Sequence, residues 1–268
     1  MPEPAGALFD SLLDLMARLR GPGGCPWDRE QTRDSLKPFL IEEAYEVLEA
    51  LDSGQRQALL EELGDLLFQV VFHAQLAAER GEFSMADVLE RLLAKMTQRH
   101  PHVFGKSKVG SAKEALSQWE AIKHAEGSAE GQSRSVLDGV PRSLPALLRA
   151  QRLQAKAARV GFDWPNPEAA WAKIQEEAGE VNAALACGDA AKVREELGDL
   201  LFSLVNVARL LGIDAEGTLR AATEKFSRRF QLMETEITAG GGALAAATLD
   251  ELDRIWERAK ARDAKPPG

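Results

Sequence analysis

Residues 41–68, IEEAYEVLEALDSGQRQALLEELGDLLF, return as residues 175–202, QEEAGEVNAALACGDAAKVREELGDLLF, without a gap and with 16 of 28 positions identical. A constant offset over that length marks an internal duplication, so the chain carries one structural unit twice. Apolar residues within the stretch recur at three- and four-residue intervals, the spacing that lines one face of a helix. Gly54 and Gly188 fall mid-copy, where a left-handed cap residue would end one helix, and a second helix starts a few residues later. Each copy is therefore predicted to be an antiparallel helical hairpin.

The same periodicity extends outward through Leu8, Leu12, Leu15 and Leu19 and again through Leu147, Leu148 and Leu153, while alternating β-branched runs are absent. The prediction is an all-α protein made of two tandem repeats of a four-helix-bundle-like unit. Trp119-Glu120-x-x-Lys123 is echoed by Trp256-Glu257-x-x-Lys260, and Lys95 with Arg99 by Lys225 with Arg229, so the repeat covers most of each half. Gly, Ser and Pro concentrate over 126–145, which reads as a linker between an N-terminal domain (1–125) and a C-terminal domain (146–268). A chain of 268 residues that is 45% hydrophobic suits two domains of ordinary size.

Composition removes several function classes. A net charge of −9 argues against a nucleic-acid partner, which needs a surplus of Lys and Arg along its phosphates. Free nucleotides stay compatible, because a divalent cation offsets their charge locally. Cys25 and Cys187 fit neither metal-ligand spacing nor a disulfide framework, and the N-terminal residues lack the pattern of an export signal. A cytoplasmic location is expected. The longest apolar run, Leu66–Leu76, is broken by Gln69, His73 and Gln75 and is too short to cross a bilayer, so it is predicted to be a buried helix and no membrane partner is expected.

Acidic residues carry the chemistry. Glu176, Glu177 and Glu180 share one face of the first helix of the second copy, and Glu195, Glu196 and Asp199 share one face of its second helix. Glu42, Glu43, Glu46, Glu61, Glu62 and Asp65 repeat the pattern in the first copy. Such runs are commonly solvated helix faces. Here, however, like charges converge between two helices and call for a cation, and the acidic turn runs into Leu200, Leu201 and Phe202, which predicts a buried neighbour helix. Gly64 and Gly198 sit mid-helix at a cost of about 1 kcal/mol relative to Ala, which predicts another group close to the backbone there. An all-oxygen site suits Mg2+, with Mn2+ as a substitute, and no histidine follows His124 to supply the Glu-x-x-His pairs of a di-iron bundle. Lys173 and Lys192 lie beside the acidic motifs, and Lys225, Arg228 and Arg229 lie on one later helix. These cations suit phosphate oxygens or an ordinary surface. Trp256 suits a nucleotide base or a core.

Taken together, GCPWDREQT (24–32), EEAYEVLEA (42–50), EELGDLLFQVVFHAQ (61–75), RHPHVFG (99–105), PRSLPALLRAQ (141–151), VGFDW (160–164) and EKFSRRF (224–230) closely resemble the MazG family of nucleoside triphosphate pyrophosphohydrolases, within the all-α pyrophosphatase superfamily. The resemblance runs over nearly the whole chain. It implies Mg2+-dependent hydrolysis of a nucleoside triphosphate to the monophosphate and pyrophosphate, broad base tolerance, tandem domains and a homodimer. By motif, it implies that Glu177, Glu180, Glu196 and Asp199 are metal ligands, and that Lys173, Glu176, Lys192, Glu195, Lys225, Arg229 and Trp256 contact the nucleotide.

The two copies are not equally equipped. Phe39 and Ala58 stand in the first copy where the second has Lys173 and Lys192. The first copy thus keeps the acids without two phosphate-facing cations, and the C-terminal domain is the expected catalyst. The resemblance implies a structural or regulatory N-terminal domain, and Glu43, Glu46, Glu62 and Asp65 are candidates for a metal there. In the mechanism expected of such a site, Asp199 also faces substrate, and an unliganded acid, Glu176 or Glu195, takes the proton of the attacking water; spacing does not choose between them. The Gly-rich segment near Gly240 is a candidate hinge for closing the Trp256 region over a base. Two alternatives stay open: a house-cleaning pyrophosphohydrolase selective for a non-standard or damaged deoxynucleotide, and a helical regulatory protein without chemistry.

Overall fold

Both hairpins form around left-handed glycines: Gly54 has φ +66° and Gly188 φ +70°, a conformation that side chains with a Cβ rarely adopt. The computed structural model describes residues 4–128 and 135–263. Among them the regular elements are all helical, and the chain divides into two compact units, residues 1–132 and 133–268. Residues 129–134 of the predicted linker lie outside the described residues. Its end belongs to the second unit, because Lys156 Nζ donates to the carbonyls of Val136 and Asp138 at 3.2 and 2.8 Å.

The first unit runs α1 (Ala5–Arg20), α2 (Pro26–Glu30), α3 (Lys37–Ser53), α4 (Arg56–Glu79), α5 (Met85–Arg99), α6 (Pro101–Phe104) and α7 (Ala112–Ser128). The α3–α4 hairpin packs along its length, and α1 and α5 each lie against α4. Met16, Leu36, Val71, Phe72, Ala74, Leu76 and Met85 form the core beneath them. Burying a side chain the size of Phe72, 1% exposed, contributes about 1.5–3 kcal/mol.

The second unit runs α8 (Ala146–Arg159), α9 (Pro167–Cys187), α10 (Ala190–Leu210), α11 (Ala215–Ala239), a 3-10 turn (Leu244–Ala246) and α12 (Leu249–Asp263). Asn166 caps α9 by accepting from the Ala169 amide at 2.8 Å, and Pro167 fills the first turn, where no amide is needed. Asp189, directly after the left-handed Gly188, caps α10 by accepting from the amides of Ala191 and Lys192 at 3.0 and 3.1 Å. A two-residue connection with a stop and a start signal in sequence forces α9 and α10 to run antiparallel in close contact. Helix α8 packs against α10 and α11, and α12 folds back on α11.

Two burial expectations are corrected. The acidic turn does not adjoin a helix buried on most sides: Leu197, Leu201, Phe202 and Leu204 of α10 are exposed. Positions 197, 201 and 204 fall on one stripe of the helix, the side that α8 and α9 leave uncovered within the chain. In α4, Val71, Phe72, Ala74 and Leu76 are buried as expected, whereas Leu67 and Val70 face outward.

Candidate active site

The α9–α10 hairpin gathers three carboxylates: one oxygen each from Glu177, Glu196 and Asp199 lies within 4.8 Å of the others. Glu177 and Glu196 are buried, at 5% and 4% exposure, and Asp199 is at the open edge. Helical spacing explains the grouping, since Glu196 and Asp199 are three apart on α10 and oppose Glu177 across the hairpin. Buried carboxylates at this separation repel unless cations compensate them. Lys173 Nζ lies 2.9 Å from Glu176 and 2.8 Å from Glu177, and Lys192 Nζ lies 3.6 Å from Glu195 and 2.5 Å from Glu196. Those pairings push both ammonium groups upward in proton affinity, Lys173 through Glu177 and then Glu176, and Lys192 chiefly through Glu196.

Compensation is incomplete. Glu177 Oε2 is buried and makes no hydrogen bond. The charge of Glu196, then burial, then the charge of Glu177 raise the exposed Glu180 carboxyl above its ordinary 4.5. Glu180 thus stands beside the three clustered acids without being one of them. An orphaned buried oxygen among carboxylates, with oxygen the only donor type, fits a hard divalent cation. Glu176 and Glu195 are exposed, each on the salt-bridging lysine of its own helix.

The remaining predicted residues form a second group on α11 and α12. Arg229 Nε lies 2.8 Å from Asp263 and Arg228 Nε 3.5 Å from the same carboxylate, which holds the Asp263 carboxyl below its ordinary value. Trp256 is half-buried, its ring 5.3 Å from Phe226, which in turn stacks on Phe230 at 5.9 Å. Lys225 is exposed on α11. No hydrogen bond or ion pair among the described residues joins this group to the carboxylates on α9 and α10.

The N-terminal hairpin repeats the acids with different surroundings. Glu43, Glu62 and Asp65 lie within the same 4.8 Å. In place of a lysine, Gln69 Nε2 donates to Glu43 at 3.4 Å. Burial and then the Asp65 charge raise the Glu43 carboxyl, and burial and then the Glu46 charge raise that of Glu62. At the position of Lys173, Phe39 meets the exposed Trp27 edge-on at 5.8 Å.

The expectation for Gly64 and Gly198 is not met, since a Cβ on either would meet nothing within 4 Å. Among the described residues nothing explains the helix penalty at these positions. Sequence reading also missed Gln69 and Asp263. Gln69 follows Asp65 by four and Glu62 by seven, so helical spacing alone places it on the acidic face of α4. Nothing local points to Asp263, which meets Arg229 across thirty-four residues of chain.

The chain is 48% identical to the nucleoside triphosphate pyrophosphohydrolase/pyrophosphatase MazG of Thermotoga maritima, over 97% of the chain and 99% of that protein. It is 46% identical to the nucleoside triphosphate pyrophosphohydrolase of Escherichia coli K12, over 95% and 98%. With the nucleoside triphosphate pyrophosphohydrolase of Mycobacterium tuberculosis the identity is 34%, over 88% of the chain and 61% of that protein. The family model described as the MazG nucleotide pyrophosphohydrolase domain matches residues 31–104 and 166–232, one match on each acidic hairpin. The chain therefore belongs to the MazG nucleotide pyrophosphohydrolase family and carries its domain twice.

Proposed function

We propose that the C-terminal unit hydrolyses nucleoside triphosphates to the monophosphate and pyrophosphate, with broad tolerance of the base. The observation that carries this reading is the buried carboxylate pair Glu177 and Glu196, joined by Asp199, with one glutamate oxygen left unsatisfied. Glu177, Glu196 and Asp199, with Glu180 beside them, would hold Mg2+, for which Mn2+ can substitute. A divalent ion bound there supplies charge neutralisation for the triphosphate and acidifies a water. Lys173 and Lys192, paired with the clustered acids, reach phosphate oxygens; Lys225, Arg228 and Arg229 provide further positive charge, and Trp256 a surface for the base. Water attacks the α-phosphorus, the bond from that phosphorus to the α,β-bridging oxygen breaks, and pyrophosphate leaves. The water's proton passes to Glu176 or Glu195, both exposed and one residue from a clustered acid.

The N-terminal unit takes the structural or regulatory role in this reading, since Phe39 and Ala58 replace the two lysines. A homodimer is supported by the uncovered stripe Leu197, Leu201 and Leu204 on α10 and by Leu60, Leu63, Leu67 and Val70 on α4. No helix among the described residues is long and apolar enough to cross a membrane. We place the enzyme in the cytoplasm, with nucleotides as its ligands and no nucleic-acid partner.

The test is pyrophosphate release from a panel of ribo- and deoxynucleoside triphosphates with Mg2+, using the wild type, Glu196→Ala and Asp199→Ala. Turnover across the bases, abolished in both folded variants, is expected. Undiminished turnover in the variants removes the site, and activity confined to one non-standard deoxynucleotide replaces broad hydrolysis with house-cleaning.

A further inference from the structure

We propose that Lys173 and Lys192 are the resident counterions of the C-terminal metal site: each holds a metal-ligating carboxylate until a triphosphate draws it away, so nucleotide strengthens ion binding there. The inference rests on the metal reading of the α9–α10 hairpin and adds a coupling to it. With Lys173 Nζ 2.8 Å from Glu177 and Lys192 Nζ 2.5 Å from Glu196, both buried acids of the cluster already carry an ammonium partner. A divalent cation and an ammonium group compete for carboxylate charge, and the entering ion must displace or outbid the lysines. Both lysine side chains are partly exposed, at 31% and 51%, on flexible stems that can turn outward to a phosphate. Phosphate oxygens that take the ammonium groups return the carboxylates to the ion. By linkage, the ion strengthens nucleotide binding by the same factor as nucleotide strengthens ion binding.

Two observations separate this role from simple support of the fold. The N-terminal hairpin brings Glu43, Glu62 and Asp65 within 4.8 Å although Phe39 and Ala58 occupy the lysine positions, so the acidic cluster assembles without them. Each lysine also precedes its buried glutamate by four residues, the less favourable order for an i,i+4 pair in an isolated helix. The pairs are thus poorly explained as devices for stabilising α9 and α10.

The experiment titrates Mn2+ into the full chain by calorimetry and by electron paramagnetic resonance of the free ion. It is run with and without a triphosphate analogue whose α,β-bridge is a methylene. The C-terminal site is identified as the binding lost in Glu196→Gln. Lys173→Met and Lys192→Met are each expected to tighten nucleotide-free Mn2+ binding at that site about two- to fivefold, the size of one partly exposed ion pair. The further gain on adding the analogue should shrink in both. Arg194→Met removes an equal charge from an exposed position on α10, the helix of Lys192, and should change nucleotide-free binding less than twofold. Lys173→Gln and Lys192→Gln serve as replacements should a methionine variant lose its helical circular dichroism. Lysine variants that bind Mn2+ no tighter than wild type, or that are matched by Arg194→Met, overturn the inference alone. If no Glu196-dependent binding occurs even with the analogue, the metal reading itself fails.

Discussion

Replacing Glu177 by Gln keeps the shape of a buried side chain while reducing the charge of the three-carboxylate cluster by one third. In the absence of metal two effects oppose each other: the variant loses the ion pair to Lys173 and is relieved of repulsion from Glu196 and Asp199, so its melting point should move little. Metal separates the two proteins. At an ion concentration a hundred times the dissociation constant, wild type gains about 2.7 kcal/mol from binding. For a unit of about 135 residues, with an unfolding entropy of roughly 2.1 cal/mol/K per residue, that is about 9 °C. Loss of a group that only hydrogen-bonds and orients a metal ligand costs about 10–100-fold in metal affinity, so loss of a directly ligating charge is set at about 100-fold. The variant then gains about 0.4 kcal/mol, or between 1 and 2 °C, at the same ion concentration. Differential scanning calorimetry of the full chains with and without Mg2+ reads this directly. An equal metal-induced shift in Glu177→Gln and wild type would refute the assignment of Glu177 as a ligand.

Further expectations concern other parts of the chain. Glu62→Gln should reduce pyrophosphate release far less than Glu196→Gln, within about threefold of wild type; a loss as deep as that of the C-terminal variant would place catalysis in the N-terminal hairpin as well. Because the Glu43, Glu62 and Glu180 carboxyls sit above their ordinary 4.5, the folded chain binds more protons than the unfolded chain between that value and the raised ones. Metal-free stability should therefore fall as pH rises through that window, and saturating Mg2+, which favours the ionised acids, should flatten the dependence; melting points from pH 4.5 to 7.5 check both the sign and the effect of the ion. Phe72→Ala, at a site only 1% exposed, should cost about 3–5 kcal/mol in the N-terminal unit, measured by denaturant unfolding. Asp263→Asn should weaken the hold on Arg228 and Arg229 and raise the salt sensitivity of substrate KM, a change that steady-state kinetics at two ionic strengths would detect.

Those expectations draw unequally on what the sequence makes legible. The hairpins could be read because their punctuation is local: Gly54 and Gly188 stop a helix wherever they occur in such a pattern, and Asp189 restarts one at once. The acid cluster was legible in part for the same reason: spacings of three and four on two adjoining helices put six acids on facing sides, but only Glu177, Glu196 and Asp199 of them meet. Burial was less legible. Leu197, Leu201 and Leu204 look like core in composition, yet whether a helix stripe is covered depends on which other element arrives there, and α8 arrives on the other side. The cost of Gly64 and Gly198 was real in helix terms, but the inference of a close neighbour needed tertiary placement that no local rule supplies. Asp263 lay beyond reach because its bond to Arg229 spans the 3-10 turn and the whole of α12. The lysines were legible only in part: their four-residue spacing from Glu177 and Glu196 is visible in the sequence, but whether an ammonium group turns to a carboxylate or to a phosphate is not fixed by spacing.

The measurement closest to the centre of this account is anomalous diffraction at the manganese edge from crystals equilibrated with Mn2+ and the methylene triphosphate analogue. A peak within about 2.2 Å of carboxylate oxygens of Glu177, Glu196 and Asp199 is predicted. Bound analogue in a well-ordered C-terminal unit with no anomalous density among those three side chains would contradict it.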